Sequence, residues 1–289
     1  MELVLMTDFG LKDGAVAAMK GVAQGVARNL ARPLPITDLT HDIPPFDIAE
    51  AAYRLRQTAP YWPAGTVFVT VVDPGVGTNR KSVAARDVNG RIFVCPDNGL
   101  LTHLADEIGF QSLREIDEVA HRLPGSSESF TFLGRDLNAF IGARLACADL
   151  EFDDIGPTLP EITRLEVHHA TVIQNSGLQN SGLEDRVIGS IPVLDVNFGN
   201  VWTNIPKHLL EQVGVNFGDR VEVVIKHNEL ERYREVIPFV HSFGFVPHGE
   251  RLVYVNSLLH ASLGMNCQSF AAHYGISSGA GWTVEFGPV

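Results

Sequence analysis

Cysteine and basic residues are the scarce components of this sequence. It has three cysteines in 289 residues, Cys95, Cys147 and Cys267. Because their number is odd and they are far apart, we expect no disulfide framework but a reduced, cytoplasmic protein. Lysine and arginine number 22 against 34 aspartate and glutamate residues, which gives a formal charge of −12. A surface of this sign repels polyphosphate, so we expect neither nucleic acid nor an anionic membrane as a partner.

Long apolar runs and metal-binding spacings are also missing. No stretch reaches the ~18 consecutive apolar residues that a membrane-spanning helix needs. The segment from Met1 to Met6 has no basic residue and no long apolar stretch, so it predicts a first strand rather than a signal peptide. None of the eleven histidines lies in an HExxH or CxxC-type arrangement. The adjacent His168 and His169 would point to opposite faces of a strand, so we expect no protein-bound metal.

Residues 1–160 alternate short β-favouring runs with helical patterns. The run Thr66–Val72 is continuously apolar, as expected for a strand covered on both faces. The predicted strands are Glu2–Met6, Ile36–Leu39, Thr66–Val72, Ser82–Ala85 and Arg91–Cys95. The predicted helices are Gly14–Leu30, Ile48–Thr58, Leu100–Ile108 and Arg135–Ala148. This alternation predicts a doubly wound α/β N-terminal domain with a mostly parallel sheet.

Residues 161–289 lose most of the helical periodicity. The predicted strands are Arg164–Ile173, Val187–Val193, Arg220–Ile225, Glu235–Val240, Arg251–Val255 and Trp282–Phe286. Turn signals such as Asn216-Phe217-Gly218-Asp219 separate them. We therefore predict an all-β C-terminal domain, a small antiparallel barrel or sandwich. A duplicated five-residue unit, residues 174–178 and 179–183, is too short for a structural repeat and is typical of a surface loop.

Acidic residues follow two of the predicted strands. Asp8 comes directly after the first strand, with Asp13 five residues later, and Asp73 ends the apolar strand, with Arg80 seven residues later. Ligands of open α/β sheets bind beyond the carboxyl ends of the strands, so these are candidate site residues. Spacing alone leaves Asp8 equally open to being a helix N-cap. It leaves Asp73 and Arg80 open to being a structural ion pair at a turn.

Five motifs in order make the sequence resemble the S-adenosyl-L-methionine (SAM) hydroxide adenosyltransferase family, the SAM hydrolases, whose relatives include fluorinases and chlorinases. They are Thr7-Asp8-Phe9-Gly10-x-x-Asp13, Thr40-His41-x-Ile43-Pro44-Pro45, Val72-Asp73-Pro74-Gly75-Val76-Gly77-x-x-Arg80, Pro96-Asp97-Asn98-Gly99 and Phe198-Gly199-Asn200-Val201-Trp202-Thr203-Asn204-Ile205. The resemblance spans nearly the whole chain. It implies an α/β domain followed by a β-barrel domain, and a homotrimer with substrate between the N-terminal domain of one subunit and the C-terminal domain of its neighbour.

The resemblance also assigns substrate contacts. For ribose and methionine, it implies that Asp8 holds the ribose hydroxyls, that Asp13 and Asp195 face the ammonium group, and that Ser257 lies near the carboxylate. For adenine, it implies that Asn200 and the backbone near Asn266 and Cys267 read the base edge. Aromatic side chains would complete the substrate-binding set: Trp202 and Phe243 around the base, with Phe132 and Phe198. Ordinary barrel core is the alternative for Trp202 and Phe243, and a turn is the favoured interpretation of Pro96-Asp97-Asn98-Gly99.

The implied reaction is attack of water or hydroxide on the ribose C5′ carbon of SAM, releasing adenosine and methionine. The leaving group is a neutral thioether departing from a sulfonium, so we expect no metal or cofactor. In the family, an Asp, an Arg and a His surround the attacking water. Asp73 and Arg80 match the first two, but Leu133 stands where the histidine is expected in Thr131-Phe132-Leu133-Gly134-Arg135-Asp136.

Three alternatives stay open at this point. Halide could be the nucleophile, although a carboxylate at position 73 beside a desolvated halide is electrostatically unfavourable. The chain could be a SAM or adenosine sensor, or a very slow enzyme, because the histidine is replaced. The substrate could also be a modified SAM or another 5′-substituted adenosine.

Overall fold

The computed structural model describes residues 1–174 and 185–289, and most of the duplicated five-residue unit lies outside them. The chain divides into two compact units, Met1–Leu165 and Glu166–Val289. The boundary expected after residue 160 lies just before this division. Within the described ranges, no helix is long and apolar enough to cross a membrane.

The N-terminal unit is built on a mixed six-stranded sheet with the order β2-β1-β3-β5-β4-β6. The strands are β1 (Leu3–Thr7), β2 (Ile36–Thr40), β3 (Val67–Val71), β4 (Ser82–Asp87), β5 (Ile92–Pro96) and β6 (Phe110–Glu115). Strand β1 pairs in parallel with β2 and β3, and β3 pairs in parallel with β5. Strand β4 is antiparallel to both β5 and β6. The parallel half was predicted, whereas β6 and the reversal at β4 were not.

Helices cover both faces of this sheet, as the doubly wound prediction requires. They are α1 (Ala15–Asn29), α2 (Ile48–Thr58), α3 (Thr102–Glu107), α4 (Glu118–His121) and α5 (Phe140–Ala146). One core joins α1 and α5 to the face of β3 that carries Val67, Val69 and Val71. The other joins α2 and α3 to the face that carries Phe68. The continuous apolar pattern of β3 is explained by this burial on both sides.

A π-helical segment, Gly134–Ala139, leads directly into α5 where a single α-helix was expected. Two glycines let it approach the sheet closely. A Cβ atom at Gly142 would come within 2.3 Å of Val69, and one at Gly134 within 3.2 Å of Val71. The start of the π-helical segment is thereby held against the carboxyl end of β3.

The C-terminal unit consists of two antiparallel sheets around one core. The first has the order β13-β14-β10-β9 and the second β12-β11-β15-β8-β7. The strands are β7 (Thr171–Ile173), β8 (Arg186–Ser190), β9 (Val193–Asp195), β10 (Asn200–Pro206), β11 (Arg220–His227), β12 (Leu230–Pro238), β13 (Arg251–Val255), β14 (His260–Met265) and β15 (Trp282–Gly287). Two short helices, α6 (Lys207–Gln212) and α7 (Phe270–Tyr274), complete the unit.

Several strand predictions in this unit need correction. Only Thr171–Ile173 of the expected strand Arg164–Ile173 is a strand, so His168 and His169 lie outside it. The expected strand Val187–Val193 is interrupted after Ser190 and resumes at Val193 as β9. Strands β10 and β14 were missed because their mixed polar and small residues lack a simple alternation.

Candidate active site

Asp73 and Arg80 form a buried ion pair in the loop that follows β3. Arg80 Nε donates to Asp73 Oδ1 at 3.0 Å, and Arg80 Nη2 donates to Asp73 Oδ2. The two side chains are 6% and 11% exposed. The backbone N–H of Gly75 donates to Asp73 Oδ1 at 3.2 Å. The fork geometry of the guanidinium fixes both carboxylate oxygens at once, so the orientation of Asp73 is set by Arg80.

Arg80 has little capacity left for further hydrogen bonds. Its Nη1 donates to the carbonyl of Lys81 at 2.6 Å and to Ser82 Oγ at 3.0 Å. A guanidinium has five N–H donors. Within the described chain, the two bonds to Asp73 and these two leave one N–H, on Nη2.

Asp8 lies at the same edge of the sheet as Asp73. Strands β1 and β3 are parallel neighbours with Thr7 paired to Val71, so the residues that follow them leave the sheet together. Asp8 Oδ2 accepts a hydrogen bond from the backbone N–H of Phe46 at 2.8 Å. Helix α1 begins only at Ala15, so Asp8 is not its N-cap.

His41 holds the loop that carries Asp8. Its Nδ1 lies 2.8 Å from Thr7 Oγ1, and its carbonyl accepts from the backbone N–H of Gly10 at 2.8 Å. His41 is buried, and its Nε2 lies 3.0 Å from an oxygen of Asp38. The sequence motif around His41 indicated the resemblance, but no role was predicted for this residue.

Asp13 is engaged at the start of a helix. Its Oδ1 accepts from the backbone N–H of Ala15, the first residue of α1, at 2.8 Å. This contact satisfies one of the free N–H groups of the helix N-terminus. The structure therefore gives Asp13 a local role, and its expected contact with an ammonium group stays a prediction.

The segment around Leu133 borders the Asp73 loop. The ring of Phe132 packs edge-on against Phe9 with centroids 5.8 Å apart. Gly77 approaches the carbonyl of Phe130, since a Cβ at Gly77 would lie 3.6 Å from it. Leu133 is 4% exposed and belongs to the hydrophobic core on that face of the sheet. The position of the expected histidine is therefore buried and apolar in this chain.

Asn200 is the central polar residue of the C-terminal set. It is 4% exposed, and its Nδ2 donates to Asp195 Oδ2 at 2.9 Å. No group of the described residues hydrogen-bonds its Oδ1. Gly264 lies beneath, and a Cβ there would come within 2.7 Å of both Asn200 Oδ1 and the Phe243 ring. Asn200 and Phe243 are thus neighbours over a glycine that leaves space for them.

Trp202 and Phe243 both contact Tyr254. The indole Nε1 of Trp202 donates to the Tyr254 hydroxyl at 3.1 Å, and the Phe243 and Tyr254 rings lie 4.8 Å apart. Trp202 is buried, whereas Phe243 is half-buried and packs against a small cluster around Tyr254. Core packing accounts for much of Trp202, and Phe243 has surface left for a ligand.

Ser257 and the pair Asn266–Cys267 lie at opposite ends of the β13–β14 hairpin. Ser257 is in the exposed turn, and Asn266 and Cys267 follow β14. Asn266 Nδ2 donates to the carbonyl of Val246 at 2.9 Å, and Cys267 adopts a positive φ of 60°. The ladder between the two strands spans Arg251–Val255, about 13 Å at ~3.3 Å per residue, and Ser257 and Asn266 lie beyond its two ends. A ligand that contacts both ends has to be elongated.

Phe198 is largely exposed, at 70%. It lies in the turn between β9 and β10, two residues before Asn200. Across residues 1–174 and 185–289, no group of three or more histidine, cysteine or acidic side chains is placed to hold a metal ion.

Sequence comparison decides the family. The model of the SAM hydroxide adenosyltransferase N-terminal domain matches residues 3–156, and that of the C-terminal domain matches residues 189–283. The chain belongs to the SAM hydroxide adenosyltransferase family. The resemblance inferred from the five motifs is confirmed.

Relatives in this family have two kinds of name. The chain is 35% identical to the (R)-S-adenosyl-L-methionine hydrolase of Salinispora tropica, covering 94% of this chain and 93% of the relative. It is 28% identical to the fluorinase of Actinopolyspora mzabensis, over 96% and 94%. The crystal structure of an uncharacterized conserved protein from Thermotoga maritima is similar to it with a TM-score of 0.84 and 31% identity, covering 99% of both chains.

Proposed function

We propose that this protein hydrolyses SAM to adenosine and L-methionine by attack of water at the ribose C5′ carbon. The observation that carries the proposal is the buried Asp73–Arg80 pair at the carboxyl end of β3 in a SAM hydroxide adenosyltransferase chain. Asp73 and Arg80 are the catalytic residues of this proposal. The greater identity to a relative named as a hydrolase than to one named as a fluorinase supports it.

The ion pair is suited to holding a water molecule. Asp73 Oδ2 accepts one hydrogen bond from Arg80 and retains a lone pair for a proton of water. Arg80 fixes both oxygens of the carboxylate, so the direction of that lone pair is fixed as well. A water that donates to Asp73 is therefore oriented by a rigidly held acceptor. Orientation of the nucleophile in line with C5′ lowers the barrier because its freedom is lost before the transition state.

The reaction as proposed requires neither metal nor cofactor, and SAM is the substrate. The thioether leaves as a neutral molecule, so no acid has to protonate it. Hydroxide attack on a sulfonium removes charge in the transition state, so a buried, water-poor site does not oppose it. Leu133 is a buried apolar residue where the family histidine is expected, so the water lacks the hydrogen bond that a histidine would give it.

The remaining candidate residues suit the two ends of SAM. Asp8 would hold the ribose hydroxyls, with Asp13 and Asp195 facing the methionine ammonium group and Ser257 its carboxylate. On the adenine side, the unpartnered Oδ1 of Asn200 can accept from the exocyclic amine of the base. Adenosine at one end and an amino acid at the other give SAM the length that Ser257 and Asn266 require.

We propose a homotrimer in which each substrate is shared between subunits. Exposed apolar side chains accompany the candidate residues of each unit, and exposed apolar surface favours association. In the N-terminal unit these are Leu11, Phe46, Val76 and Phe130, and in the C-terminal unit they are Val196, Phe198 and Phe245. Burial of both sets in an assembly would also keep bulk water from the reacting atoms.

Two finer features belong to the same proposal. We propose that the C-terminal sheets close into a barrel along one edge, where Phe239 forms an isolated bridge to Val253 of β13. We also propose a cytoplasmic location, because Cys95, Cys147 and Cys267 are free thiols.

A non-catalytic SAM or adenosine sensor is the second candidate function. The observation that favours it is Leu133, which leaves the pair of Asp73 and Arg80 without a third polar partner for water. Retention of the complete ion pair favours the hydrolase, since binding alone does not need it.

The decisive experiment is incubation of the purified protein with each sulfonium diastereomer of SAM in ¹⁸O-labelled water, without added metal. We expect adenosine carrying the label at the 5′ oxygen, together with methionine. Because relatives are named (R)-S-adenosyl-L-methionine hydrolase, we expect faster turnover of the R diastereomer. Methylthioadenosine with homoserine lactone would contradict hydrolysis at C5′. Tight binding without turnover would identify a sensor.

A further inference from the structure

Arg80 is held on the side away from Asp73 by a second chain of hydrogen bonds. Its Nη1 donates to Ser82 Oγ at 3.0 Å, and the Ser82 hydroxyl donates to Glu118 Oε1 at 3.2 Å. Ser82 is 1% exposed at the start of β4, and Glu118 is the first residue of α4. Asp73, Arg80, Ser82 and Glu118 therefore form one continuous path.

The backbone fixes the outer end of this path. The N–H of Ile116 donates to the carbonyl of Ser82 at 2.9 Å, and the next pair, Val83 and Glu115, belongs to the β4–β6 ladder. Asp117 caps α4 by accepting from the N–H groups of its second and third residues. Glu118 is thus presented to Ser82 by a paired strand and a capped helix.

The geometry points to Ser82 and Glu118 as positioning residues that set the plane of the Arg80 guanidinium. We infer this on the basis of the proposed hydrolysis. The guanidinium is planar and rigid. Its bonds to Asp73 from Nε and Nη2, together with its bond to Ser82 from Nη1, therefore prevent it from rotating. The orientation of the Asp73 carboxylate, which holds the water in the proposed reaction, follows from that plane. Loss of the Ser82 bond would leave the Nη1 side of the fork held by the carbonyl of Lys81 alone.

A cleft of about 440 Å³ beside Arg80 supplies a matched control. Ser82, Glu115 and Glu118 all line it. Glu115 forms an ion pair with Lys81 at 2.6 Å. Removal of Glu115 takes a carboxylate from the same cleft without touching the path to Arg80.

The test compares Ser82→Ala, Glu118→Ala, Glu118→Gln and Glu115→Ala in steady-state SAM hydrolysis. We expect Ser82→Ala and Glu118→Ala each to lower kcat about tenfold, as loss of one hydrogen bond to a charged network does. KM should stay within about twofold, because the path acts on the nucleophile rather than on substrate binding. Glu118→Gln keeps the acceptor for Ser82 and should retain most of kcat, and Glu115→Ala should resemble the wild type.

A double-mutant cycle separates positioning from a merely structural role. In an Arg80→Ala background, Ser82→Ala should cause no further loss, because the group it positions is gone. A full tenfold loss there, or unchanged kcat in both alanine variants, would overturn the inference while hydrolysis stands. Wild-type protein that binds SAM without turnover would overturn the proposed function and this inference with it. If Ser82→Ala fails to fold, the same double-mutant cycle is measured with Glu118→Ala and Arg80→Ala. Glu118 is half-buried, so its replacement disturbs the fold less.

Discussion

Charged side chains dominate the candidate residues of the N-terminal unit, whereas amides and aromatic rings dominate those of the C-terminal unit. Asp73 forms an ion pair with Arg80, and Asp8 accepts a hydrogen bond from the backbone N–H of Phe46. Asn200 instead keeps a buried oxygen without a partner among the described residues, beside an aromatic ring. Paired charges suit the orientation of a reacting group, and free amide edges suit recognition of a base. The difference supports the proposal that the reacting groups lie in the first unit and the groups that recognise the base in the second.

Replacement of Asp73 by Asn should produce the largest effect. The amide keeps the shape but loses the charge that attracts Arg80 and accepts from water. We expect kcat to fall by about 10²–10⁴-fold with SAM affinity nearly unchanged. Kinetics together with calorimetric binding check this. Asp97→Asn is the matched control, because that carboxylate follows the neighbouring strand and, among the described residues, its side chain accepts hydrogen bonds from Thr163 alone. Equal losses of rate and affinity at Asp73 would make it a structural residue.

Leu133→His tests whether the N-terminal unit lacks one member of its catalytic group. An imidazole there would give the water another hydrogen-bond partner, and we expect kcat to rise by up to about 10²-fold at constant affinity. Leu133 is 4% exposed, so some loss of thermal stability should accompany the gain. Leu133→Met, which conserves volume, should leave kcat unchanged. A folded histidine variant with no gain would direct attention to His41, His103 and His121.

Asn200→Ala should have the opposite kinetic signature to Asp73→Asn. Loss of the amide removes base recognition, so we expect SAM affinity to weaken about 10–100-fold while kcat changes little. Equilibrium binding of adenosine measures this without turnover. Asn204→Ala on the same strand is the control, since Asn204 bonds the backbone of Ser190 and His168. A loss confined to kcat at Asn200 would contradict the division between the units.

Thiol labelling provides a milder test of the C-terminal set. Cys267 is exposed, while Cys95 and Cys147 are buried, and burial raises the pKa of both buried thiols. Iodoacetamide should therefore modify Cys267 first, and saturating adenosine should slow it several-fold if the base lies nearby. Mass spectrometry of the modified peptides provides the rates. Labelling that adenosine does not slow would place the base elsewhere.

The smallest expected effect concerns acid stability of the N-terminal unit. Partial burial raises the pKa of Asp38, but hydrogen bonds from Lys20 and His41 outweigh it, and the net pKa is lowered. This stabilisation is present above the ordinary carboxyl pKa and is lost as the pH falls through the lowered value. Lys20→Met should therefore reduce the unfolding free energy by less than about 1 kcal/mol at pH 7, and by nothing at low pH. Urea unfolding at both pH values measures it, and an equal loss at both would contradict the electrostatic cause.

The sequence predicted those parts of the fold that depend on local patterns. The apolar run of β3 and the helical spacing of α2 were recognisable without any partner. The antiparallel direction of β4 was not, because it depends on which strands become neighbours. Strand β14 was missed for a related reason, since its Gly264 leaves space for Asn200 and Phe243 rather than contributing to a strand pattern.

Site residues were predictable where they belong to contiguous motifs. Asp8, Asp73 and Asn200 each lie in a recognisable stretch, and their roles stay predictions. Ser82 and Glu118 lie 36 residues apart in ordinary segments, so only the paired strands reveal their hydrogen bond. His41 lay within a motif, but its contact with Thr7 depends on the adjacency of β1 and β2.

The carboxylate of Asp73, held on both oxygens by Arg80, has a consequence for which small molecules can react. It can accept a hydrogen bond, so it favours a nucleophile that carries a proton. Water carries one, and so does methanol, which would form the 5′ methyl ether of adenosine. Chloride and azide carry none, and the charge of the carboxylate would repel them.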